Sequence, residues 1–387
     1  EFGDFSAAIH DFVVHYGNVA PEVYDGWLDK WPAAKRAAII KSTQLDAAKP
    51  HVLKTFIKRE GGHARPRKGR LIQGYGTLHA QELCAREFAV YQKGLTAMFG
   101  VGGYELRPGV FVTFGSGMSA TDICDWARRG IARCVGMPVF YERDGKNWDS
   151  TMQRPHHDLK LKFARAVSAQ LASFMDRSYK CTGVARFGTG HEAVRLVYRL
   201  EGTVKSGHND TSSSNSLINA AISAEVFSRL GLRASVIVAG DDMLAIVDGD
   251  FDVNTVVGEE AKFGIVPEAA KFYDINDVTF ISACFLAQGE DLVFVPVLGR
   301  LLLRLWWTTK PPKKHVDDYM HGVACGLLPA VGGVALYREL VSIGLKRSVV
   351  AHDRMVAFCR ERWRHSAFYG VTQGGDGFES ALAIRYG

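Results

Sequence analysis

The sequence lacks the patterns that mark several common classes of protein. Its longest weakly polar stretch, Val323 to Tyr337, contains one proline and three glycines and is shorter than the roughly 20 residues of a transmembrane helix. The seven cysteines are scattered without a C-x-x-C pair, which argues against a disulfide framework or a structural zinc site and fits a reducing, intracellular setting. The G-x-S-x-G, Walker A and H-E-x-x-H patterns of hydrolases, P-loop nucleotidases and zinc proteases are also missing.

The composition that remains is that of a folded protein with two strongly basic segments. Of the 387 residues, 47% are hydrophobic and 23% are charged, which argues against disorder. The formal net charge of +6 is mild but unevenly spread. Residues 54–70 carry seven Lys or Arg against one acid, and residues 292–315 carry five and no acid. Such segments suit phosphate-bearing partners, although a basic run can equally be a solvated face.

The stretch from Ala234 to Val247 predicts a β-hairpin with acidic residues at its tip. Two apolar runs rich in Val and Ile flank Gly240, Asp241 and Asp242, and a central glycine is typical of a hairpin turn. Two neighbouring carboxylates are costly to hold together unless cations neutralise them. The alternative interpretation is an ordinary solvated turn, because G-D and D-D dipeptides are common in surface loops.

Two further elements precede this hairpin. A predicted strand that begins at Pro138 ends at Asp144, and Asp149 follows five residues later. Asp144 and Asp241 together could hold two Mg²⁺ ions roughly 4 Å apart, the arrangement used for in-line phosphoryl transfer. Further along, a flexible Ser206-Gly207 turn precedes a helix in which Thr211 and Asn215 share one face. Asp149 and Asn215 could read a ribose 2′-hydroxyl, the group that distinguishes RNA precursors from DNA precursors.

In this order, D-x4-D, S-G-x3-T-x3-N and G-D-D resemble motifs A, B and C of the RNA-dependent RNA polymerases of positive-strand RNA viruses. The Asn147-Trp148 pair and the T-S-S-S-N helix start are similar to the flavivirus, tombusvirus and nodavirus side of that family, without indicating a genus. The resemblance implies that Asp144, Asp241 and Asp242 are catalytic residues and metal ligands.

The resemblance extends on both sides of these three motifs. Residues 56–72 are similar to motif F, whose basic residues grip the incoming triphosphate, and residues 263–271 are similar to motif D. Motif D implies that Lys271 protonates the leaving pyrophosphate, with Lys262 as the alternative. Residues 280–286 are similar to motif E, at the entry to the thumb. The residues expected to bind the nucleotide are Lys58, Arg59, Lys68, Arg70, Asp149, Ser206, Thr211 and Asn215.

The family resemblance also implies a fold class. We expect an α+β right-hand polymerase with fingers, palm and thumb, in which helices flank an antiparallel palm sheet. The implied boundaries are fingers 1–137, palm 138–160, fingers 161–204, palm 205–290 and thumb 291–387.

The function implied is template-directed RNA synthesis, with two Mg²⁺ ions for which Mn²⁺ can substitute, in replication of a viral RNA genome. The partners would be an RNA template and product strand, nucleoside triphosphates and other viral replication proteins. We expect the host cytoplasm, in a membrane-associated replication complex whose anchor is not in this chain. Two alternatives stay open: a reverse transcriptase, against which Asp149 with Asn215 argues, and a non-catalytic RNA-binding protein with a polymerase-like fold.

Overall fold

The structure, a computed structural model, describes residues 2–26, 33–34, 36–37, 51–58, 71–76, 85–188, 193–308, 315–347 and 378–386. The main helices of this part of the chain are α1 (Ser6–Gly26), α2 (Ala85–Met98), α3 (Ala120–Arg133), α4 (Trp148–Thr151), α5 (Arg154–Val167), α6 (Ala169–Arg177), α7 (Thr211–Arg229), α8 (Val253–Ala261), α9 (Leu298–Arg304), α10 (Val316–Val331), α11 (Ala335–Leu345) and α12 (Glu379–Tyr386). Its strands are β1 (Val52–Ile57), β2 (Leu71–Tyr75), β3 (Tyr104–Arg107), β4 (Val110–Phe114), β5 (Pro138–Gly145), β6 (Lys180–Phe187), β7 (Val194–Glu201), β8 (Ala234–Ala239), β9 (Asp242–Asp248), β10 (Pro267–Phe272), β11 (Thr279–Phe280), β12 (Ala283–Gln288) and β13 (Asp291–Pro296).

The largest sheet has six strands in the order β10-β5-β9-β8-β4-β3. All neighbouring strands are antiparallel except β4 and β8, which are parallel. The two strands of the predicted hairpin, β8 and β9, lie at the centre of this sheet and are almost entirely buried. Burial on both faces explains why their sequences are continuous apolar runs instead of an alternation of apolar and polar residues.

Helices cover both faces of the six-stranded sheet. The buried helix α7 packs on one face, where its apolar residues meet Val236, Val238 and Ala245. The amphipathic helix α3 packs on the other face, against Ile237 and Leu244. Because successive side chains of a strand point to opposite faces, the odd and even positions of β8 and β9 contribute to two different cores.

Two smaller sheets complete the described part of the chain. One has the order β2-β1-β6-β7, with β1 and β6 parallel and the other neighbours antiparallel. The other is antiparallel, in the order β11-β12-β13. A tight turn at Ile281 and Ser282, whose φ angles are 44° and 68°, separates the two-residue strand β11 from β12.

The structure confirms an α+β architecture with mostly antiparallel sheets, while the division into fingers, palm and thumb stays a prediction. In the ranges given above, no helix is both long and apolar enough to cross a membrane. Among the cysteines in the described residues, Cys124, Cys134, Cys284 and Cys325 are free thiols.

Candidate active site

The predicted hairpin is confirmed, with the acidic residues at its turn. Ala239 of β8 pairs with Asp242 of β9, so that only Gly240 and Asp241 connect the two strands. Gly240 has a φ angle of 70°, a left-handed conformation that glycine adopts without the steric cost of a side chain. The turn therefore presents the Asp241 and Asp242 carboxylates at one end of the six-stranded sheet.

Asp144 lies beside this turn on the neighbouring strand β5. Arg143 of β5 and Met243 of β9 form the last pair of this antiparallel ladder, and Asp144 and Asp242 come directly after them on the two strands. Directly opposite residues in such a ladder have Cα atoms about 4.5–5.5 Å apart. Residues nearly one hundred positions apart in the chain are therefore neighbours. The predicted partner of Asp144 is Asp241, whose charge also reaches Asp144, and their shared role as metal ligands stays a prediction.

The electrostatics of the site show that these carboxylates repel one another. Burial, together with the negative charges of Asp241 and Asp144, raises the pKa of Asp242 to about 7. Partial burial and the charges of Asp241 and Glu268 likewise raise the pKa of Asp144. Within the part of the chain that the structure describes, none of the three aspartates has a salt-bridge partner. The site thus has more negative charge than its protein surroundings neutralise.

This donor set suits a divalent cation shared with a substrate. Mg²⁺ prefers one or two carboxylates together with phosphate oxygens, and the repulsion between Asp144 and Asp242 is what a bound cation would relieve. Over the described residues, however, no group of three or more His, Cys, Asp or Glu side chains is arranged to hold a metal ion. The carboxylates are therefore close enough to influence one another, without forming a complete protein cage.

A second pair of predicted residues meets near the start of α7. Asn215 donates a hydrogen bond from Nδ2 to Oδ1 of Asp149 at 2.8 Å. Asp149 lies in the short helix α4, and Asn215 lies one turn into α7. The two residues expected to read the ribose 2′-hydroxyl are thus in contact, and their role in sugar recognition stays a prediction.

The loop before α7 is attached to strand β2. Ser206 donates its hydroxyl to the carbonyl oxygen of Leu71 at 3.1 Å, and the Gly207 amide donates to the carbonyl of Gln73. A Cβ atom at Gly207 would lie only 3.0 Å from backbone atoms of β2, so this close approach favours glycine. Thr211 donates its hydroxyl to the carbonyls of Lys205 and His208, which closes the loop.

Of the basic residues predicted in motif F, only Lys58 lies among the described residues. It is exposed and follows β1, whose last residue, Ile57, pairs with Leu71 at the start of β2. The two ends of the segment 58–70 are therefore adjacent. Arg59, Lys68 and Arg70 lie outside the described residues, so their contribution to triphosphate binding stays a prediction.

Lys271 is placed away from the three aspartates. In β10, Glu268 pairs with Asp144, whereas Lys271 pairs with Tyr141, three residues or about 10 Å along the strand and on the opposite face of the sheet. Its Nζ donates to Oδ1 of Asp250 at 2.7 Å and to the carbonyl of Phe251 at 2.8 Å. A proton-donor role for Lys271 stays a prediction, and it requires the side chain to leave Asp250. The alternative, Lys262, forms an ion pair with Glu259.

Two residues of α7 that were not predicted as site residues, Asn219 and Ser216, support the acidic turn. Asn219 donates to the carbonyl oxygens of Gly240 and Asp241 at 3.0 and 3.1 Å, and Ser216 accepts a hydrogen bond from the Gly240 amide at 2.8 Å. A signal is present in the sequence. Thr211, Asn215, Asn219 and Ser223 recur every four residues along the helix, which places four polar groups on one face.

The fold and the site together define an α+β protein with clustered carboxylates suited to divalent cations and phosphates. Residues 137–271 match the family model of viral RNA-directed RNA polymerase, a segment of less than half of the chain. This segment contains motifs A, B, C and D, so the resemblance seen in the sequence is confirmed, without specifying a genus. The match supports RNA-directed RNA synthesis as the general activity. No curated protein matches the chain significantly.

Proposed function

We propose that this protein is an RNA polymerase that copies a viral RNA genome by metal-dependent nucleotidyl transfer. The observation that carries the proposal is the position of Asp144 directly beside Asp242, next to the turn that bears Asp241. Viral RNA-directed RNA polymerases use divalent metals, RNA and nucleoside triphosphates. We propose two Mg²⁺ ions here, with Mn²⁺ as a substitute.

In this proposal, Asp144, Asp241 and Asp242 hold the cations. When bound, the cations would neutralise the carboxylates, lower the pKa of the RNA 3′-hydroxyl and stabilise the triphosphate charge. The 3′-oxygen forms a bond to the α-phosphorus of the nucleotide while the bond from that phosphorus to the bridging oxygen of the β-phosphate breaks. The hydroxyl proton passes to solvent, and pyrophosphate leaves.

The remaining site residues would bind and orient the substrate. Asp149, held by Asn215, is in a position to accept a hydrogen bond from the ribose 2′-hydroxyl. Lys58 and the basic residues that follow it would neutralise the triphosphate before transfer. The template and product strands would be held through phosphates and 2′-hydroxyls, because a polymerase must copy any sequence.

The proposed architecture assigns the six-stranded sheet to the palm, the sheet β2-β1-β6-β7 to the fingers, and residues 291–387 to the thumb. It thereby moves β3 and β4 to the palm, although the boundary at residue 137 implied by the family resemblance places them in the fingers. This assignment follows the family resemblance and the position of the acidic turn at one end of the six-stranded sheet. We also propose that the protein works in a membrane-associated replication complex in the host cytoplasm.

The test is incorporation of nucleotides on homopolymer RNA, with and without primer, in Mg²⁺ or Mn²⁺. We expect the wild-type protein to incorporate ribonucleotides. Asp241→Asn should lower the rate about 10²–10³-fold or more while RNA binding is retained. Asp291→Asn, a change at an exposed aspartate at the start of β13, is the matched control. RNA synthesis by Asp241→Asn at the wild-type rate would refute the assignment of the acidic turn.

A further inference from the structure

Helix α7 carries a line of polar side chains through the core of the protein. The helix is buried over most of its length, yet Thr211, Asn215, Asn219 and Ser223 follow one another at intervals of one turn on one face. Each contacts a different element. Thr211 closes the preceding loop, Asn215 binds Asp149, Asn219 binds the acidic turn, and Ser223 binds both Asn219 and a charged residue of β5. One rigid helix therefore connects several parts of the site.

Asn219 makes the most extensive of these contacts. It is fully buried, and its Nδ2 lies 3.0, 3.1 and 3.3 Å from the carbonyl oxygens of Gly240, Asp241 and Asp242. An amide group has two N–H donors, so the three carbonyls share them. Ser216 accepts a hydrogen bond from the Gly240 N–H. The two side chains of α7 therefore hold the turn by its backbone carbonyl oxygens and by one of its backbone amides.

The orientation of the Asn219 amide is itself fixed by a buried ion pair. Asn219 Oδ1 accepts a hydrogen bond from Nη2 of Arg143 at 2.5 Å, while Nε of Arg143 donates to Glu260 at 3.1 Å. Arg143 and Glu260 are each only 1% exposed. A guanidinium group can only donate hydrogen bonds, so Asn219 must direct its oxygen towards Arg143. Its nitrogen must then point to the acidic turn.

Strand β5 links this support to the catalytic acids. Arg143 and Asp144 are consecutive, and consecutive side chains of a strand point to opposite faces of the sheet. Asp144 thus faces the site, while Arg143 faces α7 and lies against the ring of Trp148. A buried ion pair often contributes little net stability compared with apolar residues of similar volume. We therefore consider what the Arg143–Glu260 pair does to the geometry of the acidic turn, and not what it adds to stability.

We propose that Asn219 is a positioning residue for the catalytic carboxylates, and that the Arg143–Glu260 pair holds its amide in the required orientation. Asn219 sets the position of the turn that carries Asp241 and Asp242 relative to Asp144. Because Asn215 lies one turn away on the same helix, the sugar-reading pair and the carboxylates keep a fixed separation. This inference rests on the proposed function, since it concerns residues behind the metal-binding acids.

The experiment compares Mn²⁺ binding by the wild-type chain and by Asn219→Ser, titrating Mn²⁺ alone and following the free ion by electron paramagnetic resonance. Loss of a group that orients metal ligands typically costs 10–100-fold in metal affinity or activity. We expect the Mn²⁺ dissociation constant of Asn219→Ser to rise about tenfold or more. The nucleotide KM should change less than kcat in the incorporation assay. A residue with only a structural role would lower the melting temperature without changing Mn²⁺ affinity.

Asn276→Ser is the matched control. Asn276 is another buried asparagine, and it binds Asp274 and the amide of Ala287, away from the acidic turn. Its replacement should leave Mn²⁺ affinity within about twofold of wild type. If Asn219→Ser does not fold, Arg143→Lys takes its place, since lysine keeps the charge opposite Glu260 but loses the planar fork that also reaches Asn219.

The outcomes separate this inference from the proposed function. Weaker Mn²⁺ binding in a folded Asn219→Ser or Arg143→Lys, but not in Asn276→Ser, supports the positioning role. Wild-type Mn²⁺ affinity in the folded variant overturns it, even if the wild-type chain synthesises RNA. A wild-type chain that neither binds Mn²⁺ nor incorporates nucleotides overturns the proposed function itself.

Discussion

Two acidic groups beside helix α7 have opposite electrostatic surroundings. Asp210, directly before the helix, is buried and accepts hydrogen bonds from Lys160 at 2.8 Å and Ser214 at 3.0 Å. Burial by itself would raise the pKa of Asp210, but Lys160, His208 and these hydrogen bonds outweigh it and hold that pKa well below its usual range. Asp242 is also largely buried, and its burial, together with the charges of Asp241 and Asp144, raises its pKa.

The difference shows which acid the fold neutralises by itself and which acid it leaves for a ligand. Asp210 has an internal cation and contributes to the support of the loop before α7. Asp144, Asp241 and Asp242 form no ion pair with a cation among the described residues, and the charges of Arg143 and Arg300 only partly offset the raised pKa values of Asp144 and Asp242. A carboxylate cluster kept against its own repulsion is typical of a functional site.

The largest effect on stability that we expect comes from removing one partner of the buried Lys160–Asp210 ion pair. Lys160→Met would leave Asp210 buried without its cation, and the loss of one partner of a buried pair typically costs about 3–5 kcal/mol of unfolding free energy. Lys162→Met, two residues away at an exposed position, should change stability by less than about 0.5 kcal/mol. Urea unfolding of both variants measures the difference. Equal stability of the two variants would show that Asp210 does not depend on Lys160.

Asp242, unlike Asp210, should destabilise the folded protein when it is ionised, so its effect should be visible in the pH dependence of the unfolding free energy. Between the ordinary aspartate pKa near 3.8 and the raised pKa of about 7, folded Asp242 keeps a proton that the unfolded chain has lost. The unfolding free energy of the metal-free protein should therefore fall as pH rises from about 4 to about 7, by a few kcal/mol at most. Asp242→Asn should remove this part of the pH dependence.

Urea unfolding across that pH range, in the presence of a chelator, provides the measurement. Asp291→Asn, at an exposed carboxylate, should keep the wild-type profile. The same pH dependence in Asp242→Asn as in wild type would mean that repulsion at Asp242 does not affect stability. Addition of Mg²⁺ should flatten the wild-type profile, because a bound cation favours the ionised carboxylate.

The sequence predicts well the features formed by one short stretch of chain, and poorly the contacts between residues that are far apart in the chain. The hairpin was predictable because apolar runs, a glycine and two acids occur in one short stretch. The sequence predicted that Asp144 and Asp241 share cations, but not that Asp144 lies beside Asp242, since the register between β5 and β9 is not encoded in either strand alone. The contact between Lys160 and Asp210, fifty residues apart, carries no local pattern at all.

The same distinction between local and non-local features explains why Lys271, a predicted site residue, does not lie beside the three aspartates. Lys271 occupies the expected place in the chain, but the register of β10 against β5 decides which face of the sheet it lies on. Conversely, the spacing of Asn219 in α7 was visible in the sequence. Its role was not, because its partners come from β5 and from the turn after β8.

A smaller effect is expected at Asp149, which accepts a hydrogen bond from the neutral amide of Asn215. One hydrogen bond contributes about 0.5–1.5 kcal/mol, so Asp149→Ala should reduce the preference for ribonucleotides over deoxyribonucleotides by up to about tenfold. The ratio of kcat/KM for the two nucleotides measures it. Asp158→Ala, on α5, is the control. An unchanged ratio in Asp149→Ala would remove Asp149 from sugar selection.

The smallest effect on stability should come from Lys271, whose partner Asp250 is exposed. The Lys271–Asp250 pair is the exposed counterpart of Lys160–Asp210, and exposed ion pairs contribute about 0–1 kcal/mol. We therefore expect Lys271→Ala to unfold within about 1 kcal/mol of wild type. Kinetics then test the predicted proton donor, since loss of a general acid costs about 10²–10⁴-fold in rate. A loss of that size in Lys271→Ala but not in Lys262→Ala would show that Lys271 leaves Asp250 during catalysis. A change under tenfold would leave it as the partner of Asp250 alone.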